Sequence, residues 1–257
     1  PTVTRLFAGV AVFTVGMGGL AEAAGRALGE DEPVLGALVL TSTFPNTGNY
    51  GIPLSAFAFG ALGRSTAVLF IVAQSVLMYT LGVYVAARGT AGSVLDAVTR
   101  VVRLPLVYAV AAAAAVRVGD LAPPTDTAVM ETIRLTGDAA IPVMLLLLGI
   151  QLSNSGGGTP VARTAPASAL KLLVAPALAA AVALAVGLTG TVGRVFVLEC
   201  AMPAAVTPLM LTIEFGTDDA GTDGLAADYV STTILVTTLA SLVTLTALIA
   251  LLQTGLV

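Results

Sequence analysis

Two stretches of this sequence set polar and helix-breaking residues inside long apolar surroundings. The first is FPNTGNYGIPLSAFAFG, Phe44–Gly60, and the second is AMPAAVTPLMLTIEFG, Ala201–Gly216. Each holds two prolines, Pro45 with Pro53 and Pro203 with Pro208, and each ends in Phe-Gly. Proline removes a backbone donor and clashes with the preceding turn, and Gly48 and Gly51 loosen the first stretch further. Both helices should therefore break within the apolar layer. A half-helix that starts at such a break points unpaired N–H groups and a partial positive charge into the gap. That is an anion site built without a buried lysine. Asn46, Thr47 and Asn49 can add side-chain hydrogen bonds. In the second stretch Thr207 is the nearby polar side chain, so the backbone of Pro203, Ala204, Ala205 and Val206 should dominate. The chemistry on offer is binding rather than bond making.

The remaining reactive groups are few. There is no histidine, which removes the usual metal ligand and neutral-pH base, and Cys200 is the one cysteine, so an intrachain disulfide is impossible. No catalytic set, metal site or cofactor is expected. Asp138 and Glu199 could in principle form the dyad of an intramembrane enzyme, but neither lies in a recognisable catalytic motif. Glu199 stands four residues before Pro203 inside an apolar span. A carboxylate there costs roughly 2.5–3.5 kcal/mol on insertion scales, so it should face protein or water. Two readings stay open: a protonatable group coupled to function, or a carboxylate in a polar pocket near Arg194. Asp138 is expected at a helix start, where carboxylates are favoured, and Lys171 is expected to snorkel toward an interface.

The elements that must hold these residues are membrane helices. The chain is 57% hydrophobic and 10% charged, with mean hydropathy +0.98, against about 25% charged for a soluble domain. Runs such as 67–87, 172–193 and 229–252 are continuously apolar rather than alternating, which favours helices over barrel strands. The reading is an all-α integral membrane protein with about eight spans: 6–28, 33–59, 65–87, 103–118, 132–152, 167–188, 194–215 and 226–253. The polar loop 88–103, with three arginines, is the best cytoplasmic candidate, although the arginine balance across the whole chain is nearly even. A net charge of −4 argues against a nucleic-acid partner. The broken spans are the second and seventh. That odd separation gives them opposite orientations, as in the inverted repeats of secondary transporters, whose paired broken helices mark the binding site. A channel would need a continuous polar path or a charged ring, and neither is visible; a sensor without transport is a further alternative.

These motifs resemble the auxin efflux carrier family of the bile/arsenite/riboflavin transporter-like superfamily, and its microbial permeases in particular. PNTGNYGIPL, Pro45–Leu54, is similar to the family's first crossover helix, and Ala201–Gly216 to the second. AQSVLMYTLGVYVAARG, Ala73–Gly89, is similar to the helix after the first crossover, and GDAAIPVMLLLLGIQL, Gly137–Leu152, to the helix that opens the second core region. The resemblance implies a ten-helix fold of two five-helix inverted repeats and an elevator-type carrier of small organic anions, working as a homodimer in the cell membrane. On that pattern residues 1–89 are the remainder of the first repeat, 90–102 a connecting loop and 103–257 the second repeat, the family's first two helices being missing. It also implies roles for single residues. Asn46 matches the crossover asparagine, and Gln74 and Tyr79 match polar pocket positions. Arg5 matches a basic residue near the start of the family's third helix. RLPLVYA, Arg103–Ala109, keeps the proline and Tyr108 of the plant segment but has Leu106 where plant members carry asparagine, a departure that argues against auxin itself as ligand.

Overall fold

A computed structural model describes residues 2–87, 105–119, 121, 123–124, 126–154, 158–215 and 224–254. The 88–103 loop and most of the acidic 217–228 connection lie outside the described residues. Among those described, the chain is helical throughout and carries no strand beyond one isolated bridge. Among the described residues, four helical runs are long and apolar enough to cross a membrane: Thr2–Ala27, Thr47–Ala86, Val161–Val186 and Leu225–Gln253.

Helix α1 (Thr2–Ala27) buries Leu6, Val10, Phe13, Met17 and Ala21. This spacing lays one face on the core. Val3, Phe7, Val12, Val15 and Leu20 are exposed on the rest of the helix. An apolar exterior of this kind suits lipid, not water. Helix α2 (Val34–Thr43) is buried at all ten positions and packs between α1 and the last helix. After it the chain runs extended at Phe44 (φ −98°, ψ 110°) and then winds through a π-turn, Thr47–Gly51. Helix α3 (Ile52–Leu77) follows, with Pro53 in its first turn, where a missing N–H is harmless.

Beyond its break, the second apolar span runs on into the third, Thr47–Ala86, with a corner. Gly60 sits at φ 66°, ψ −150°, a region open essentially to glycine alone. Just beyond it Gly63 lies against the Ser55 carbonyl, where a Cβ would overlap. A second π-turn, Met78–Gly82, leads into α4 (Val83–Ala86).

The second half holds α5 (Pro105–Val118), α6 (Ala128–Asn154), α7 (Ala165–Ala169), a π-turn at Leu170–Val174, α8 (Ala175–Val186), α9 (Gly190–Cys200), α10 (Thr207–Phe215) and α11 (Leu225–Gln253). Helix α8 ends at Gly187 in the left-handed conformation (φ 70°), and Arg5 Nη1 donates to the Gly187 carbonyl at 3.1 Å. Helix α9 is buried from Val195 to Cys200 and packs on α3 and α8. Its Phe196 anchors an aromatic cluster with Phe13 (6.5 Å, edge-on) and Phe70 (5.9 Å).

Two expectations change here. Lys171 does not snorkel: it is fully buried in the third π-turn, with Nζ donating to the Cys200 carbonyl at 3.3 Å. Asp138 is not at a helix start. It lies within α6, exposed, and pairs with Arg64 at 2.9 Å.

Candidate functional site

The two interrupted stretches meet through their backbones. Helix α2 stops at Thr43 and α9 at Cys200, and the extended residues beyond them pair as an antiparallel bridge between Pro45 and Ala204. Asn46 N donates to Pro203 O (2.8 Å), and Ala205 N donates to Phe44 O (3.0 Å). Proline at 45 and at 203 denies each segment a continued helix. The backbone groups left over must find partners in an apolar interior, and they find them in each other. Thr237 on α11 supports the bridge from behind, its hydroxyl accepting from Ala204 N at 3.2 Å.

Gln74 on α3 fastens the first break from the other side. Its Nε2 donates to the Pro45 carbonyl (2.7 Å), and its Oε1 accepts from the Thr47 hydroxyl (2.7 Å). Asn46 Oδ1 caps the π-turn by accepting from Asn49 N at 3.4 Å. The other half of that amide is idle: Asn46 Nδ2 is buried without a hydrogen-bond partner.

These groups surround a cavity of about 260 Å³. Pro45, Asn46, Thr47, Asn49, Gln74, Tyr79, Ala205, Val206 and Thr207 all line it, so nine of the sequence-predicted residues converge there. Gly48, read from the sequence only as a loosening glycine, also lines it, and Ile71, Ser75, Met78 and Met210 complete the wall. Sequence reasoning passed over these four. Positions 71, 74, 75, 78 and 79 share one face of a helix, and that spacing was the available signal. Pro203 and Ala204 do not line the cavity. Both are buried behind it, where their backbones form the bridge. Among the described residues, no charged side chain lines the cavity. A wider hollow of about 1060 Å³ lies between Val3, Ala56, Gly60, Arg64, Val68 and Arg117. It is mostly apolar and holds none of the predicted site residues.

Glu199 lies outside the cavity wall and is fully buried. Its Oε1 accepts from the Ser55 hydroxyl at 2.6 Å, and its Oε2 has no partner. The carboxylate presses on Gly51, where an added Cβ would overlap Oε2 and lie 2.8 Å from Cδ. Glu199 therefore joins the half-helix before the second break to the one after the first. Arg5 and Asp138 are elsewhere, engaged with Gly187 and Arg64.

The family described as membrane transport protein matches residues 90–249 of this chain. An uncharacterized transporter of Methanothermobacter thermautotrophicus is 29% identical over 221 residues, which cover 86% of this chain and 69% of that protein. An uncharacterized transporter of Methanocaldococcus jannaschii is 25% identical over 178 residues, 69% of this chain and 58% of that protein. The matched part of the chain thus falls short of two thirds of the second relative's length. Apolar spans and a family match over more than half of the sequence lead to one assignment: the chain belongs to the membrane transport protein family, whose members are auxin efflux carrier-like integral membrane transporters.

Proposed function

We propose that this protein is a secondary carrier for a small organic anion, bound by its carboxylate in the 260 Å³ cavity between the two broken helices. The observation that carries this reading is Asn46. Asn46 lines the cavity, its Nδ2 is a buried donor without a partner, and leaving such a group unpaired costs about 1–3 kcal/mol. A ligand oxygen would remove that cost. Thr47 and Thr207 hydroxyls stand beside it, while Ile71, Met78 and Met210 offer an apolar surface to the rest of the molecule. A wall without a charged side chain also favours release, because no ion pair has to be broken.

The rest of the cycle is proposed from the same geometry. The two breaks form a crossing in mid-membrane and move as one body in an elevator-type exchange, because two backbone hydrogen bonds lock them together. Inverted repeats, a homodimeric scaffold and the cell membrane as location complete the proposal.

Binding of radiolabelled acetate, lactate, malonate, malate and benzoate to purified wild type and Asn46→Ala tests it. At least one carboxylate should bind, and Asn46→Ala should weaken it about tenfold, near 1.4 kcal/mol. Failure of all five overturns the anion site, and binding of a cation that needs Glu199 would put a cation site in its place. Saturable flux with counterflow in proteoliposomes separates a carrier from a channel.

A further inference from the structure

Glu199 is a buried ionisable group that ligand binding does not use. We propose that Glu199 is a proton-binding site coupled to the cavity through Thr47, so that the carrier moves its anion together with a proton. The proposal rests on the anion-carrier reading for its coupling, but not for the proton site itself.

The geometry around the carboxyl group is specific. An ionised carboxylate offers two oxygens that each seek donors or a cation. Here Oε1 has Ser55, and Oε2 has no donor at all. Gly51 packs beside Oε2, so closely that a Cβ added there would overlap it. The groups that reach the carboxyl group from the facing half-helix are hydroxyls, Ser55 and Thr47. From its own helix the neighbouring ionisable group is the Cys200 thiol. Lys171 lies beyond that residue, with its ammonium on the Cys200 carbonyl. Among the described residues the hydrogen bond of the Glu199 carboxyl group is to the Ser55 hydroxyl and not to a cation or a second carboxylate. A proton on Oε2 is the one small cation this setting accommodates.

Thr47 supplies the link. Its side chain lies near Glu199, lines the cavity, and turns its proton to Gln74 Oε1 at 2.7 Å. A ligand carboxylate arriving beside Asn46 competes for that same hydroxyl. The ligand's charge then stands one side chain away from the Glu199 carboxyl group, and two negative groups this close favour taking up a proton at one of them. The stoichiometry is one proton per carboxylate, which makes the loaded carrier electrically neutral at the site.

The test has a ligand-free arm and a coupled arm. In the first, infrared spectra of the purified wild type at neutral pH should contain the C=O stretch of a buried carboxylic acid, and Glu199→Gln should lack it. Absence of that band from the wild type overturns the proton site, whether or not the variant folds. In the second, at a pH high enough to remove that band from the ligand-free protein, adding the tightest binder of the five carboxylates to weakly buffered protein should restore the band and raise the pH as protons are taken up, about one per ligand bound. Glu199→Gln should bind with no proton uptake and lose the acceleration of uptake by an inward proton gradient. Ligand binding with no proton uptake in the wild type overturns the coupling. If none of the five carboxylates binds, the anion reading falls, and the infrared arm still decides the proton site.

Discussion

Gly51→Ala should abolish the well-folded protein in detergent, and Glu199→Ala in the same chain should restore it. The alanine methyl would overlap Glu199 Oε2, and neither side can retreat. Glu199 is held on a buried helix end by the Ser55 bond, and Gly51 is fixed by its own N–H to the Asn46 carbonyl at 3.0 Å. Overpacking commonly costs about 1–3 kcal/mol, and a clash between backbone-anchored groups belongs at the upper end, about 3 kcal/mol. Thermal unfolding and monodispersity on gel filtration are the measurements. Truncating Glu199 opens the space, so the double variant should melt above Gly51→Ala alone. Contacting residues are expected to couple in this way. A double variant no more stable than the single would show that the contact is not what makes position 51 a glycine.

Gln74→Leu should disarm the cavity while leaving its volume nearly unchanged. The amide serves two buried groups at once, the Pro45 carbonyl and the Thr47 hydroxyl. Leucine serves neither. Each stranded group carries about 1–3 kcal/mol of desolvation cost, so the first break should shift to find other partners. Carboxylate affinity is expected to fall at least about 30-fold, near 2 kcal/mol, a larger effect than Asn46→Ala because the frame moves and not a single donor. An affinity within about threefold of wild type would mean that Gln74 only fills space.

The sequence made the breaks legible because proline acts locally: Pro45 and Pro203 forbid helix whatever surrounds them. It made Asn46 and Thr47 legible because polar residues beside a helix break in an apolar run need a reason to be there, whereas Gln74 and Tyr79 were placed in the pocket by the family resemblance. Three things were hidden. The join of the second and third spans depends on Gly60 taking a positive φ, which an Ala-Phe-Gly-Ala string does not announce. The partner of Glu199 is Ser55, 144 positions away, and no local pattern predicts such a pairing. Lys171 was read as an interfacial residue because long cations near helix ends usually are; its burial follows from the Cys200 carbonyl, freed where α9 ends. Long-range closure decided each of these cases.

The bridge at Pro45 and Ala204 uses main-chain atoms alone. Side chains at 46 and 205 can change without touching either bond, unless proline removes an N–H. A lineage can therefore exchange the groups that read a ligand one at a time, each step keeping a carrier whose moving parts still fit. Substrate preference becomes the easily edited property of this architecture and the crossing itself the inherited one. Relatives that move quite different solutes would be expected to share the frame and differ at the wall.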